Sequence, residues 1–173
     1  MLINLTDYFE VRGKEARIDV PFEADVIKSD YAEYPVLHKN PVVFEFHNIG
    51  DGKLQLVGNT SFKLGSVCDR CLSEVDFEVA VSFEYTFAKP DGYHEIDDEQ
   101  EVYMKGYELD AEALITNELL MSLPMKVLCK ETCKGLCPVC GKNRNDGECG
   151  CDTFVPDPRM AAIKDIFNAN KEV

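Results

Sequence analysis

The sequence predicts an α+β fold: an antiparallel β-sheet or partly open barrel with packed helices and a C-terminal four-cysteine minidomain. Three observations predict it. Apolar and polar residues alternate at period two across residues 76–87, a capped segment with an apolar face ends at Pro124, and six of the eight cysteines fall in residues 129–151. At 173 residues, 45% hydrophobic and 10% aromatic, the chain can bury one good core and carry a small appended module. The boundaries expected are 1–128 for a β-rich domain with its helix, 129–156 for the cysteine-rich minidomain, and 157–173 for a terminal helix docking on the main domain.

The first strands come from "PVVFEFHNIGDGKLQLVGN". Val42, Phe44 and Phe46 share one strand face, Gly50-Asp51-Gly52 supplies a turn, and a second strand runs around Leu54 to Val57. In "DFEVAVSFEYTF", Phe77, Val79, Val81, Phe83, Tyr85 and Phe87 alternate with polar or small residues, the pattern of a half-buried strand in an antiparallel sheet. Between strands ending near Val67 and starting near Val75 lies "CDRCLSE", so the first CxxC sits at a hairpin tip. The acidic stretch Lys89 to Glu101 has turn residues and little apolar content, which predicts a loop.

In "LDAEALITNELLMSLPMK", Asp110 suits a helix cap, Glu112 the first turn, and Pro124 the stop, with Leu114, Ile115, Leu119 and Leu120 turned to the sheet. The cysteine-rich segment that follows has few large apolar residues and cannot build a core unaided. In the closing "PDPRMAAIKDIFNANKEV", Asp157 caps, Pro158 takes the first helical position, and Met160, Ile163, Ile166 and Phe167 form an apolar stripe.

Charge narrows the functional classes. The chain carries 18 basic and 32 acidic residues, net −14, and such a field repels phosphate backbones. An acidic surface steers toward basic partners. No signal-like amino terminus and no apolar run of membrane length is present, so the expected location is the cytoplasm, with no membrane partner. In that reducing compartment, thiols at two-residue spacing point to metal ligation or redox chemistry before disulfides.

The "CPVCG" unit lets one turn present two thiolates to a tetrahedral ion, and Cys149 and Cys151 follow as CxC. Cys137, Cys140, Cys149 and Cys151 thus make a first candidate zinc site. Cys68, Cys71, Cys129 and Cys133 make a second, which would tie the sheet to the helix end. Spacing alone leaves open whether that second set binds an ion, stays as free thiols, or lends Cys129 and Cys133 to the first set, so the expected cofactor is one or two Zn2+. Four protein thiolates leave no open position, which makes either site structural. A dithiol motif would open a helix, whereas Gly141 and Asn143 follow here. His38, His47 and His94 are scattered, and GxSxG, Walker and GxGxxG patterns are absent, so no catalytic residues and no small-molecule substrate are expected. Residues 129–159 hold five basic and five acidic side chains, leaving the whole −14 on the rest of the chain. Within them Lys142, Asn143, Arg144 and Asn145 form a polar, partly basic loop that could meet RNA or an acidic partner.

The hairpin "CDRCL", the helix "LDAEALITNELLMSLP", the run "CKETCKGLCPVCGKNRNDGECGC" and the closing "DPRMAAIKDIF" together resemble the YceD family of large ribosomal RNA subunit accumulation proteins, over roughly Asp19 to Phe167. The resemblance implies a bacterial cytoplasmic protein needed for normal levels of that RNA, often encoded beside a small zinc-binding ribosomal protein. Some relatives keep the CxRC unit without the CPxCG cluster, which favours two independent sites. The family more often reads GKNLN where this chain has GKNRN, so Arg144 departs from a shared apolar position. The expected function is a non-enzymatic ribosome biogenesis factor that binds a basic ribosomal protein or a precursor of the large subunit. The alternatives are a zinc-ribbon factor contacting RNA and a zinc or thiol redox enzyme.

Overall fold

A computed structural model describes residues 1–29, 31–90 and 102–152. The elements run β1 (Leu2–Asn4), α1 (Thr6–Glu10), β2 (Glu15–Val20), β3 (Val26–Lys28), β4 (Glu33–Lys39), β5 (Val42–Gly50), β6 (Lys53–Val67), β7 (Glu74–Ala88), β8 (Met104–Lys105), β9 (Glu108–Asp110) and α2 (Ala111–Met121). Every pairing among them is antiparallel. The protein is therefore mostly antiparallel sheet with few helices, as the alternation in 76–87 predicts. The acidic segment 91–101 and the amphipathic segment from Asp157 onward lie outside the described residues.

One strand organises the main sheet. β6 is 15 residues long, and β7 pairs with it along its whole length, from Lys53 opposite Ala88 to Val67 opposite Glu74. The other edge of β6 is shared in succession by β5, which takes Lys53–Asn59, and β4, which takes Phe62–Leu64. β2 extends the sheet beyond β5, and β3 beyond β4. A smaller sheet of β1, β9 and β8 brings the amino terminus beside the start of α2.

The turn between β5 and β6 shows why the sequence folds locally as it does. Asp51 (φ 52°) and Gly52 (φ 69°) both occupy the left-handed region, which a two-residue turn needs to follow strand twist. Along β7 the burial alternates as the sequence does, with Val79, Val81, Phe83 and Phe87 buried and Glu78, Ala80, Ser82, Glu84 and Thr86 exposed. Gly58 is required by its cross-strand partner, because a Cβ there would overlap the Phe83 ring.

The core is large and aromatic. Phe44, Phe46, Leu54, Leu56, Phe62 and Leu64 are almost completely buried, and α1 adds Tyr8, stacked on Phe46 at 5.0 Å between ring centres. Asp110 caps α2 by accepting a hydrogen bond from the Ala113 amide at 3.2 Å, and Leu114, Ile115 and Leu119 are fully buried. α2 ends at Met121, where the Ser122 amide closes on Glu118 and Leu119 carbonyls, two residues ahead of Pro124. Tyr85 donates its hydroxyl to Glu118, and burial followed by that carboxylate pushes the phenol far above its usual range.

These elements form one compact unit, residues 1–67 and 74–127. The second unit joins the hairpin tip 68–73 to the chain from 128 onward, of which residues 128–152 are described.

Candidate metal centres

Two short turns in the second unit have the same backbone. At Cys68 the carbonyl accepts from the Leu72 amide at 2.9 Å and the amide donates to the Ser73 carbonyl at 2.8 Å. At Cys137 the carbonyl accepts from the Gly141 amide at 2.8 Å and the amide donates to the Lys142 carbonyl at 2.8 Å. The residue after the second cysteine is left-handed in both, Leu72 at φ 59° and Gly141 at φ 72°. In both turns the first thiol is also solvated by nearby backbone amides. Burial pushes the Cys68 thiol up, but the amides of Cys129, Arg70 and Cys71 outweigh it and bring the group down to about 6. The amides of Cys140 and Val139 bring Cys137 down to about 6 against its burial. "CDRCL" is thus the same knuckle as "CPVCG", although only the second carries the glycine that advertises it.

Each knuckle meets a second pair of cysteines. Cys68, Cys71, Cys129 and Cys133 bring their sulfurs within 4.8 Å of one another, and so do Cys137, Cys140, Cys149 and Cys151. The partition is the one that spacing left open, with Cys129 and Cys133 grouped with the hairpin tip. In the first cluster Cys68 and Cys133 lie 3.8 Å apart and Cys71 and Cys129 lie 3.6 Å apart. A tetrahedral ion with metal–sulfur bonds of about 2.3 Å requires sulfur–sulfur edges of about 3.8 Å, whereas a disulfide requires about 2.05 Å. The residues present fit the first and not the second. Four sulfurs and no nitrogen or oxygen in each set suit a soft tetrahedral metal.

The thiols of each cluster divide electrostatically. Cys133 is held low by the Asn145 side chain, while Cys129 is pushed up to about 12, first by its hydrogen bond with Cys133 and then by burial. Cys151 is likewise pushed up to about 12 by Cys140 and Cys149. Like charges packed this closely cannot all ionise unless a cation balances them. The two sites also differ in shelter. Cys68, Cys71 and Cys133 are buried and Cys129 is exposed, whereas in the other set only Cys137 is buried.

The loop 142–145 is divided by the fold. Lys142 and Arg144 are exposed, while Asn143 and Asn145 are half-buried. The Asn143 Oδ1 accepts from both the amide and the side-chain nitrogen of Asn145, at 3.0 and 2.9 Å. Sequence reasoning missed Arg70, whose guanidinium donates to the Cys133 carbonyl at 2.9 Å, and missed Asn145 as a donor to the Cys133 sulfur at 3.3 Å. Neither has a sequence signal, since both contacts span long stretches of chain. Of the histidines, His47 faces Glu15 with Nδ1 3.1 Å from the carboxylate, His38 is exposed, and His94 lies outside the described residues.

With the geometry in place, comparison with known proteins identifies the chain. Residues 56–167, nearly two thirds of it, match the family described as "Large ribosomal RNA subunit accumulation protein YceD". The chain belongs to the YceD family. Uncharacterised proteins of Mycobacterium bovis and Mycobacterium tuberculosis are each 34% identical to it over 96 residues, 54% of this chain. That stretch is 46% of each mycobacterial protein, so the chain spans about half the length of the curated relatives it matches. No solved structure matches. The YceD match starts inside β6 and takes in β7, α2 and all eight cysteines, so both sulfur clusters fall within the family region. No helix among the described residues is long and apolar enough to cross a membrane.

Proposed function

We propose that this YceD protein is a non-enzymatic assembly factor of the bacterial cytoplasm that supports accumulation of large-subunit ribosomal RNA by binding a basic ribosomal protein or an assembly intermediate. Two zinc ions, one per cluster, hold the binding module together. The observation that carries this reading is the closure of both clusters. Each offers four protein sulfurs, enough to fill a tetrahedral ion, which suits fastening a fold and not catalysis. The ions supply the folding free energy that a segment with few large apolar side chains lacks, and the knuckle amides orient the sulfurs. The net charge of −14 suits steering toward a basic protein better than gripping RNA.

Metal content per chain and affinity capture test it together. Two zinc ions per chain are expected, with basic large-subunit proteins recovered from cell extract at low salt. Recovery of naked ribosomal RNA without any basic protein overturns the partner assignment. A second reading has Lys142 and Arg144, both exposed, contact RNA directly. Reversing both charges leaves protein association intact under the first reading and abolishes RNA association under the second.

A further inference from the structure

The two sulfur clusters are joined by hydrogen bonds. Asn145 lies in the stretch between Cys140 and Cys149, both members of one set, yet besides its bond to Asn143 its side chain reaches the other set. Its Nδ2 donates to the Cys133 sulfur at 3.3 Å and its Oδ1 accepts from the Lys134 amide at 3.0 Å. A second bridge lies nearby. The Arg70 carbonyl, inside the Cys68 knuckle, accepts from the Leu136 amide at 3.1 Å, and Leu136 directly precedes Cys137. Gly135 (φ 71°) permits this approach, since a Cβ there would sit 3.0 Å from the Arg70 oxygen.

We propose that the two clusters load metal cooperatively, with Asn145 as the positioning residue that couples them: an ion at Cys68, Cys71, Cys129 and Cys133 preorganises the set Cys137, Cys140, Cys149 and Cys151. The inference rests on the reading of both clusters as metal sites. Its physical basis is the acceptor. A metal-bound thiolate is a fixed, charged acceptor for an amide N–H, and hydrogen bonds to charged groups are the stronger kind. Once Asn145 is held there, the remaining bonds of the loop follow: Arg144 N–H to Gly135 at 2.9 Å, Asn145 N–H to the Asn143 side chain, and Asp146 N–H to Asn143 at 3.2 Å. These fix the chain that carries Cys140 at one end and Cys149 at the other, so the second ion no longer bears the entropy of ordering its own ligand loop. Burial sets the order. The Cys68 cluster has three buried sulfurs and the other has one, so the sheltered site fills first and the exposed one second. By linkage the second ion strengthens the first by the same factor.

Asparagine is specific to this task. One amide gives both the donor to sulfur and the acceptor for Lys134, which Ala cannot do. Asp keeps an acceptor but sets a negative charge against a thiolate. The experiment is zinc titration of the full-length, metal-stripped protein followed by native mass spectrometry. At one equivalent, the wild type is expected to show mainly metal-free and doubly loaded chains. In Asn145→Ala and Asn145→Asp the singly loaded chain becomes dominant, the second ion binding roughly tenfold more weakly, while both still reach two ions in excess zinc. Arg144→Ala, which keeps its backbone bond, behaves as wild type. A random distribution in the wild type overturns the coupling without any variant, as does an unchanged pattern in both Asn145 variants. A wild type that binds no zinc removes the metal reading itself and this inference with it.

Discussion

The two units of this protein bury different things. In the first, Phe44, Phe46, Leu54, Leu56, Phe62, Leu64, Leu114 and Ile115 are almost wholly removed from water. In the second, the buried hydrophobic side chains among the described residues are Cys68, Cys71, Cys133 and Cys137, all of them thiols. One unit folds on apolar area, while the described residues of the other bury thiols in its place. Segments that bury little apolar area usually need metals, disulfides or partners for this reason. If the clusters hold metal as proposed, stability has two sources, and each is expected to be removable while the other stays.

Under the proposed metal reading, the largest effect should come from chelation. Structural zinc contributes about 10–16 kcal/mol in small peptides, far more than any side chain of the second unit could replace. On chelation, amide hydrogens of Leu72, Gly141, Cys137 and Arg144, all bonded in the knuckles and their loop, should lose exchange protection, while those of β5, β6 and β7 keep theirs. Simultaneous loss in both units would break the comparison, and so would no loss in either.

The reciprocal change is Phe44→Ala. Phe44 is fully buried and packs edge-on against Phe83 at 5.8 Å between ring centres, so truncation should cost about 3–5 kcal/mol in denaturant unfolding of the sheet. Zinc stoichiometry of the folded variant should stay at the wild-type value. A lost ion would mean that the clusters depend on the sheet's packing. A subtler probe of the same core is Gly58→Ala, whose new methyl meets the Phe83 ring. Overpacking of this kind costs about 1–3 kcal/mol, again with no change in metal content.

How far the sequence discloses each unit follows from the range of the interactions. The period of 76–87, the turn at Asp51-Gly52 and the Asp110 cap are local, and each is found where the residues put it. β1, α1, β2, β3 and β4 escape sequence reading because they are short or interrupted, as at the irregular register between Val36 and His38. Their identity is set by partners distant in the chain: β2 is a strand because β5 offers an edge. At the cysteines, CxxC spacing reveals ligand pairs but not which pairs meet, since that is decided by tertiary proximity. Hydrogen bonds from Asn145 and Arg70 are of the same long-range kind, and no local pattern encodes them.

The smallest effect concerns the one place where the two knuckles differ. Both need a left-handed residue after the second cysteine, and one supplies Gly141 while the other supplies Leu72, which is 63% exposed. A left-handed leucine carries about 1–2 kcal/mol of steric strain, and glycine in its place would remove it. Glycine also frees the unfolded chain, which takes back about 0.5–1 kcal/mol. The difference is a net gain of about 0.5 kcal/mol, or roughly twofold tighter zinc binding at the Cys68 cluster of Leu72→Gly, measurable by competition with a chromophoric chelator. Since the side chain is mostly in water, its removal sacrifices little packing, and the backbone argument should prevail. Weaker binding in Leu72→Gly would instead show that leucine is retained for a contact worth more than its strain, and the two knuckles would be alike in backbone only.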